Sequence, residues 1–199
     1  MLKLQYQNQL IECGTDEAGR GCLAGPVTAA AVILPLNFKN ELLNDSKKLS
    51  ERNRILLREV IQKEALAYGV AHVMMEEIDK INILNASILA MHRAISRLKP
   101  LPEFIAVDGH KFKPYADLQH QCVIKGDAKY MNIAAASILA KTARDAYMQK
   151  IAKAYPAYDW HQNKGYPTKK HRKAILENGS TAYHRQSFKL LPEQLKMEF

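Results

Sequence analysis

The adjacent carboxylates in Cys13-Gly14-Thr15-Asp16-Glu17-Ala18-Gly19-Arg20-Gly21 are the most chemically telling residues of the chain. Asp-Glu pairs are common and usually solvated. This pair, however, stands between a short apolar strand and a Gly-x-Gly turn that leads to a second apolar run, Val27 to Leu34. Two like charges about 4 Å apart repel by about 4 kcal/mol at an effective dielectric of about 20, so keeping both ionised beside a core calls for a compensating cation. Ligands that are all oxygen favour magnesium or manganese over zinc. Asp108 closes the run Phe104-Ile105-Ala106-Val107, although Asp108-Gly109 on its own is a turn signal. Asp127 stands in Lys125-Gly126-Asp127, after Cys122-Val123-Ile124. Three strands each ending in a carboxylate can gather their side chains at one edge of a sheet, as a two-metal phosphodiester-cleaving site requires.

The glycines invite a rival reading as a dinucleotide fingerprint. Gly19, Gly21 and Gly25 are spaced one residue too widely for it, and Pro26 with a β-branched run follows where a helix should begin. No P-loop motif occurs. What remains for these glycines is close backbone approach to a ligand, with N–H groups offered to a phosphate or a sugar hydroxyl. Basic and hydroxylated residues cluster further on, in Ser46-Lys47-Lys48 and on a helix face carrying Ser137, Lys141 and Arg144, along which a phosphate backbone can lie. An ordinary polar face explains the same spacing, and Asp145, four residues after Lys141, makes an intrahelical pair. Tyr166, between Gly165 and Pro167 and ahead of a strongly basic turn, is a candidate stacking platform for a sugar or base, or a packing residue. The seven histidines show no paired ligand spacing.

Positioning these residues falls to alternating elements. Strand patterns cover Leu10–Thr15, Val27–Leu34, Tyr68–Val73, Phe104–Val107 and Gln121–Ile124. Ser50 caps a helix over Glu51–Leu66, and Leu84, Ile88, Met91, Ile95 and Leu98 form one helical stripe that Pro100 stops. Ile133–Ala154 reads as a long alanine-rich helix, and Pro167 or Thr168 opens another that Gly179 ends. This predicts an α/β core over about 10–155 and a small helical lobe over about 156–199. With 47% hydrophobic and 25% charged residues the chain can fold, and a net charge of +9 favours a polyanionic partner. No apolar stretch approaches the roughly 20 residues that cross a bilayer, and Met1–Leu10 has no signal-peptide pattern, so the cytoplasm is the default location. Three cysteines without C-x-x-C spacing read as small buried apolar residues. Monomer is the default state.

The ordered series Asp16-Glu17-Ala18-Gly19-Arg20-Gly21, Leu43-Asn44-Asp45-Ser46-Lys47-Lys48-Leu49, Ile81-Asn82-Ile83-Leu84-Asn85-Ala86, Val107-Asp108-Gly109, Lys125-Gly126-Asp127, Ala135 to Lys141, and Lys164-Gly165-Tyr166-Pro167-Thr168 resembles the bacterial ribonuclease HII family, the type 2 ribonucleases H. The resemblance runs from about Glu12 to Ser187. It implies a ribonuclease H-like mixed β-sheet flanked by helices, with a C-terminal helical extension. It implies cleavage of RNA in RNA/DNA hybrids and incision 5′ to ribonucleotides embedded in duplex DNA, leaving 3′-hydroxyl and 5′-phosphate ends. By motif, Asp16, Glu17, Asp108 and Asp127 would hold two magnesium or manganese ions. Gly19, Arg20 and Gly21 would sense the 2′-hydroxyl, and Tyr166 would stack on the adjoining deoxyribose. Type 3 enzymes carry an added N-terminal domain, for which the 15 residues before Asp16 leave no room. Two rivals remain: a non-enzymatic nucleic-acid binder, and a different nuclease on the same scaffold, such as a structure-specific DNA endonuclease.

Overall fold

Five strands build one mixed sheet: β1 (Glu12–Ala18), β2 (Val27–Ile33), β3 (Ala67–Val73), β4 (Phe104–Asp108) and β5 (Gln119–Val123), in the order β3-β2-β1-β4-β5. The structure, a computed structural model, describes residues 2–43 and 49–192. β1 pairs antiparallel with β2 and β2 with β3, whereas β1, β4 and β5 run parallel. Every residue of β2 is buried, which is why its sequence is a continuous Val-Thr-Ala-Ala-Ala-Val-Ile run instead of an alternation. The edge strand β3 alternates buried with more exposed positions, and β5 alternates exposed with half-buried ones before its buried last residue, as strands with one wetter face do.

Two sequence boundaries move. β1 continues to Ala18, beyond the expected end at Thr15, because β2 goes on pairing with it: Asp16 lies opposite Ala30 and Glu17 opposite Ala29. The two acids therefore sit inside a ladder, where the backbone holds them rigidly, and not in the turn after it. β5 ends at Val123, leaving Ile124 exposed and Lys125 in a left-handed conformation that starts the short 3-10 turn Gly126–Ala128.

Two helices follow their end signals closely, one at Ser50 and the other at Thr168 and Gly179. α1 (Glu51–Glu64) is capped by Ser50, whose Oγ accepts from the Asn53 amide at 3.2 Å. α2 (Met75–Ile95) carries the predicted stripe from Leu84 to Ile95 but starts earlier, with a break at Asn82 where φ is 65°, and ends before Leu98, short of the stop expected at Pro100. α3 (Met131–Ala152) crosses one face of the sheet. α4 (Trp160–Asn163) and α5 (Lys169–Asn178) belong to the C-terminal part; the Thr168 side chain caps α5 and Gly179 follows its end. α2 and α3 cover opposite faces of the sheet, giving two apolar layers. Contact between α3 and β1 depends on Gly14, where a Cβ would fall 2.3 Å from the backbone carbonyl carbon of Asn132. A third apolar cluster joins the end of α3, Leu23 and Ala24 to Tyr158, Trp160 and Ile175. Among the described residues no helix is long and apolar enough to cross a membrane.

Candidate active site

Parallel pairing of β1 with β4 aligns Thr15 with Val107, so one further step brings Asp16 level with Asp108 on the neighbouring strand. Alternation along β1 then turns Asp16 toward α3 and Glu17 toward α2. Ser137 of α3 hydrogen-bonds the Asp16 carboxylate, whose Oδ1 also accepts from the Glu17 amide at 2.7 Å. Asp108 Oδ1 accepts from the Gly126 amide at 2.6 Å, tying the end of β4 to the turn that follows β5. Glu17 is paired by Arg20, Nη1 to Oε1 at 3.0 Å, while the Arg20 side chain stays 48% exposed.

Burial pushes Asp16 well above the usual carboxylate range, and the nearby Glu17 and Asp108 charges push it further. Burial also raises Glu17, against the opposing pull of Arg20. This is the electrostatic signature of carboxylates crowded together without enough positive charge. An all-oxygen set under such stress fits a hard divalent cation such as magnesium or manganese. Among the described residues, no three His, Cys, Asp or Glu side chains form a ready-made metal cage.

Asp16, Glu17 and Asp108 share one open cavity of about 510 Å³ with Gly19, Arg20, Gly21, Ser137, Lys141 and Tyr166. Asp127 is buried in the 3-10 turn that follows β5 and is not among the residues lining that cavity. Lys47 lies outside the described residues. Lys141 makes the anticipated intrahelical pair, with Nζ at 2.5 and 2.6 Å from the two Asp145 oxygens, and still borders the cavity. Tyr166 also lines the cavity and is 40% exposed; its main-chain oxygen is engaged by the Thr168 amide and by Nδ1 of His171.

Arg144 does not serve the phosphate-facing role its helix position suggested. It is 1% exposed and spends its guanidinium on the carbonyls of Ala24, Pro26 and Lys164, at 2.8 to 3.0 Å. Helical spacing put it in line with Ser137 and Lys141, but the loop 19–26 and the C-terminal part close over it. Its body also explains Gly19: φ there is +93°, and a Cβ would lie 2.0 Å from Arg144 Nε. Cys13 and Cys22 are buried as expected, Cys122 only partly, and all three are free thiols. Sequence reasoning missed Arg54 of α1, which lines the cavity near the acids; its only signal was a place one turn after the Ser50 cap.

A family model described as ribonuclease HII matches residues 13–191. Ribonuclease HII of Parabacteroides distasonis is 65% identical over 199 residues, 100% of both chains, and that of Christiangramia forsetii is 64% identical over 194 residues, 98% of each. In structure, the ribonuclease HII of the PCNA:RNase HII complex from Archaeoglobus fulgidus matches with a TM-score of 0.76 at 27% identity, over 94% of this chain and 99% of that one. Ribonuclease H2 from Pyrococcus horikoshii matches with a TM-score of 0.75 at 25% identity over the same shares. A mixed sheet with acids at the shared edge of β1 and β4, and full-length likeness to these relatives, lead to one conclusion: the chain belongs to the ribonuclease HII family.

Proposed function

We propose that the protein is a metal-dependent endoribonuclease that cleaves the RNA strand of RNA/DNA hybrids and incises 5′ to ribonucleotides embedded in duplex DNA, leaving 3′-hydroxyl and 5′-phosphate ends. The observation that carries this reading is the shared cavity: Asp16, Glu17 and Asp108 face the same space as the Gly19-Arg20-Gly21 backbone and Tyr166. Family membership supports it independently.

In this reading Asp16, Glu17, Asp108 and Asp127 would hold two magnesium or manganese ions. When bound, such ions supply a nucleophilic water at neutral pH and neutralise charge on the departing 3′ oxygen. The chain's own residues do the rest. Ser137 and the Glu17 amide orient the Asp16 carboxylate, and the Gly126 amide orients Asp108. Arg20 steadies Glu17 at the mouth of the cleft. Backbone groups of Gly19, Arg20 and Gly21 read the 2′-hydroxyl, the group that separates RNA from DNA, and Tyr166 stacks on the neighbouring sugar. Lys141, Arg54 and Lys47 engage phosphates without reading bases, so little sequence preference is expected.

A labelled DNA duplex with one internal ribonucleotide tests the reading, beside an RNA/DNA hybrid and an all-DNA control, each with magnesium, manganese or chelator. Metal-dependent incision only 5′ to the ribonucleotide is the expected result. Binding without incision in either metal would leave a non-enzymatic binder, and equal cutting of the all-DNA control would remove the ribonucleotide specificity.

A further inference from the structure

Arg185 lies far along the chain from the acids, is fully buried, and ends on the loop that follows β1. Its Nη2 donates to the Gly19 carbonyl at 2.7 Å, its Nη1 to the Arg20 carbonyl at 2.9 Å, and its Nε to the Gly25 carbonyl at 3.0 Å. The geometry has a direct consequence for the neighbouring amides. In a planar trans peptide the N–H points opposite to the C=O, so turning the Gly19 and Arg20 carbonyls inward turns the Arg20 and Gly21 amides outward. Outward, here, is the cavity that Gly19, Arg20 and Gly21 share with the carboxylates.

The segment carrying Arg185 is itself held from two sides. Its amide donates to the Leu23 carbonyl at 2.8 Å, and the Gly25 amide donates to the Tyr183 carbonyl at 2.9 Å, so residues 183–185 lie like a short strand along 23–25. Just beyond, the Asp79 carboxylate of α2 accepts from the amides of Gln186 and Ser187, at 2.9 and 3.0 Å, and from the Ser187 hydroxyl at 2.5 Å. Burial pulls the Arg185 guanidinium down to about 10, which still leaves it charged at neutral pH.

Resting on the nuclease reading above, we propose that Arg185 is a positioning residue for ribonucleotide recognition: it orients the amides of Arg20 and Gly21 toward the 2′-hydroxyl, and Asp79 anchors the segment that presents it. The planar fork of N–H donors spans three carbonyls held apart along the loop. A lysine keeps the charge and much of the volume but not the fork.

The test uses Arg185→Lys and two duplexes that differ only in bearing a 2′-hydroxyl or a 2′-fluoro group at the single junction nucleotide. Single-turnover incision is measured in magnesium at a temperature where calorimetry shows the variant folded. The preference for the hydroxyl is expected to fall about tenfold, the loss of one charge-assisted hydrogen bond. A merely structural role would lower the melting temperature and leave that preference unchanged, which would overturn the inference. If Arg185→Lys does not fold, Asp79→Ala provides the same readout from a half-buried position further from the loop, with an expected loss of about threefold; an unchanged preference there overturns the inference equally. A wild-type protein that binds the duplex and never cuts it would overturn the nuclease reading and this inference together. Discrimination by the wild type that neither variant alters would overturn this inference alone.

Discussion

On the sheet edge, Asp16, Glu17 and Asp108 crowd negative charge into a partly buried corner, whereas the loop facing them is underlain by two buried positive charges, Arg144 and Arg185. Each arginine is satisfied by three main-chain carbonyls. Arg185 stays charged at neutral pH although burial pulls it down to about 10, while the carboxylates are driven toward protonation by burial and by one another. The comparison separates two tasks. The acidic wall carries raised, mutually repelling carboxylates, which suits the proposed role of holding cations. The loop wall is complete without ligand, which suits a surface that must present backbone groups in one fixed orientation.

Breaking the acidic wall has the largest expected effect. Asp108→Asn should lower turnover by about a thousandfold or more in magnesium, because one uncharged ligand undoes the metal site while hybrid binding persists. Its metal-free melting temperature should be unchanged or higher, since repulsion is relieved; retained turnover would remove Asp108 from the site. On the loop wall, Gly19→Ala forces a Cβ toward Arg144 at a φ of +93°, and about a hundredfold loss of incision at an embedded ribonucleotide is expected from kinetics on folded protein.

Acid should move the two regions in opposite directions. Asp16 and Glu17 have raised values in the folded state, so the native form holds their protons more tightly than the unfolded chain does. Without metal, their contribution is fully present at low pH and is lost as pH rises through the raised values. His184 behaves oppositely. Burial lowers it from 6.5 to about 4, so the stability it contributes is present above the unfolded value and lost as pH falls toward about 4. It stands beside His171, Nε2 to Nε2 at 3.3 Å, and His171 also accepts from Trp160 Nε1 at 2.9 Å. Calorimetry with chelator should show His184→Gln losing acid sensitivity in the C-terminal part and Asp16→Asn losing the decline that sets in as pH rises above the ordinary carboxylate range. The smallest effect belongs to the rim: Lys141→Ala should cost about 0.3–0.5 kcal/mol through its pair with Asp145 and reduce the salt dependence of hybrid binding by about one counterion.

Much of this was legible before any coordinates. The five strands and the main helices lie where apolar periodicity put them, and Ser50, Thr168 and Gly179 mark helix ends because caps and left-handed glycines act within a few residues. The acids of β1 and β4 could be suspected of meeting because both follow apolar strand residues. Their position inside the β1 ladder could not be read, since it depends on how far β2 keeps pairing. Arg144 shows the same limit from the other side: periodicity placed it on a face, and only the packing of loop 19–26 and the C-terminal part decided that the face was closed.

By itself the sequence determined which residue types were available for chemistry, which segments would be strands or helices, and a family resemblance carried by seven short motifs in order. Tertiary structure alone decided that Asp127 is buried in the turn after β5, that Arg54 reaches the cleft, and that Arg185 returns across about 160 residues to hold the glycine loop. Local signals act through the backbone over a few residues, whereas burial of a charge depends on every segment that converges on it, and no window of the sequence contains all of them.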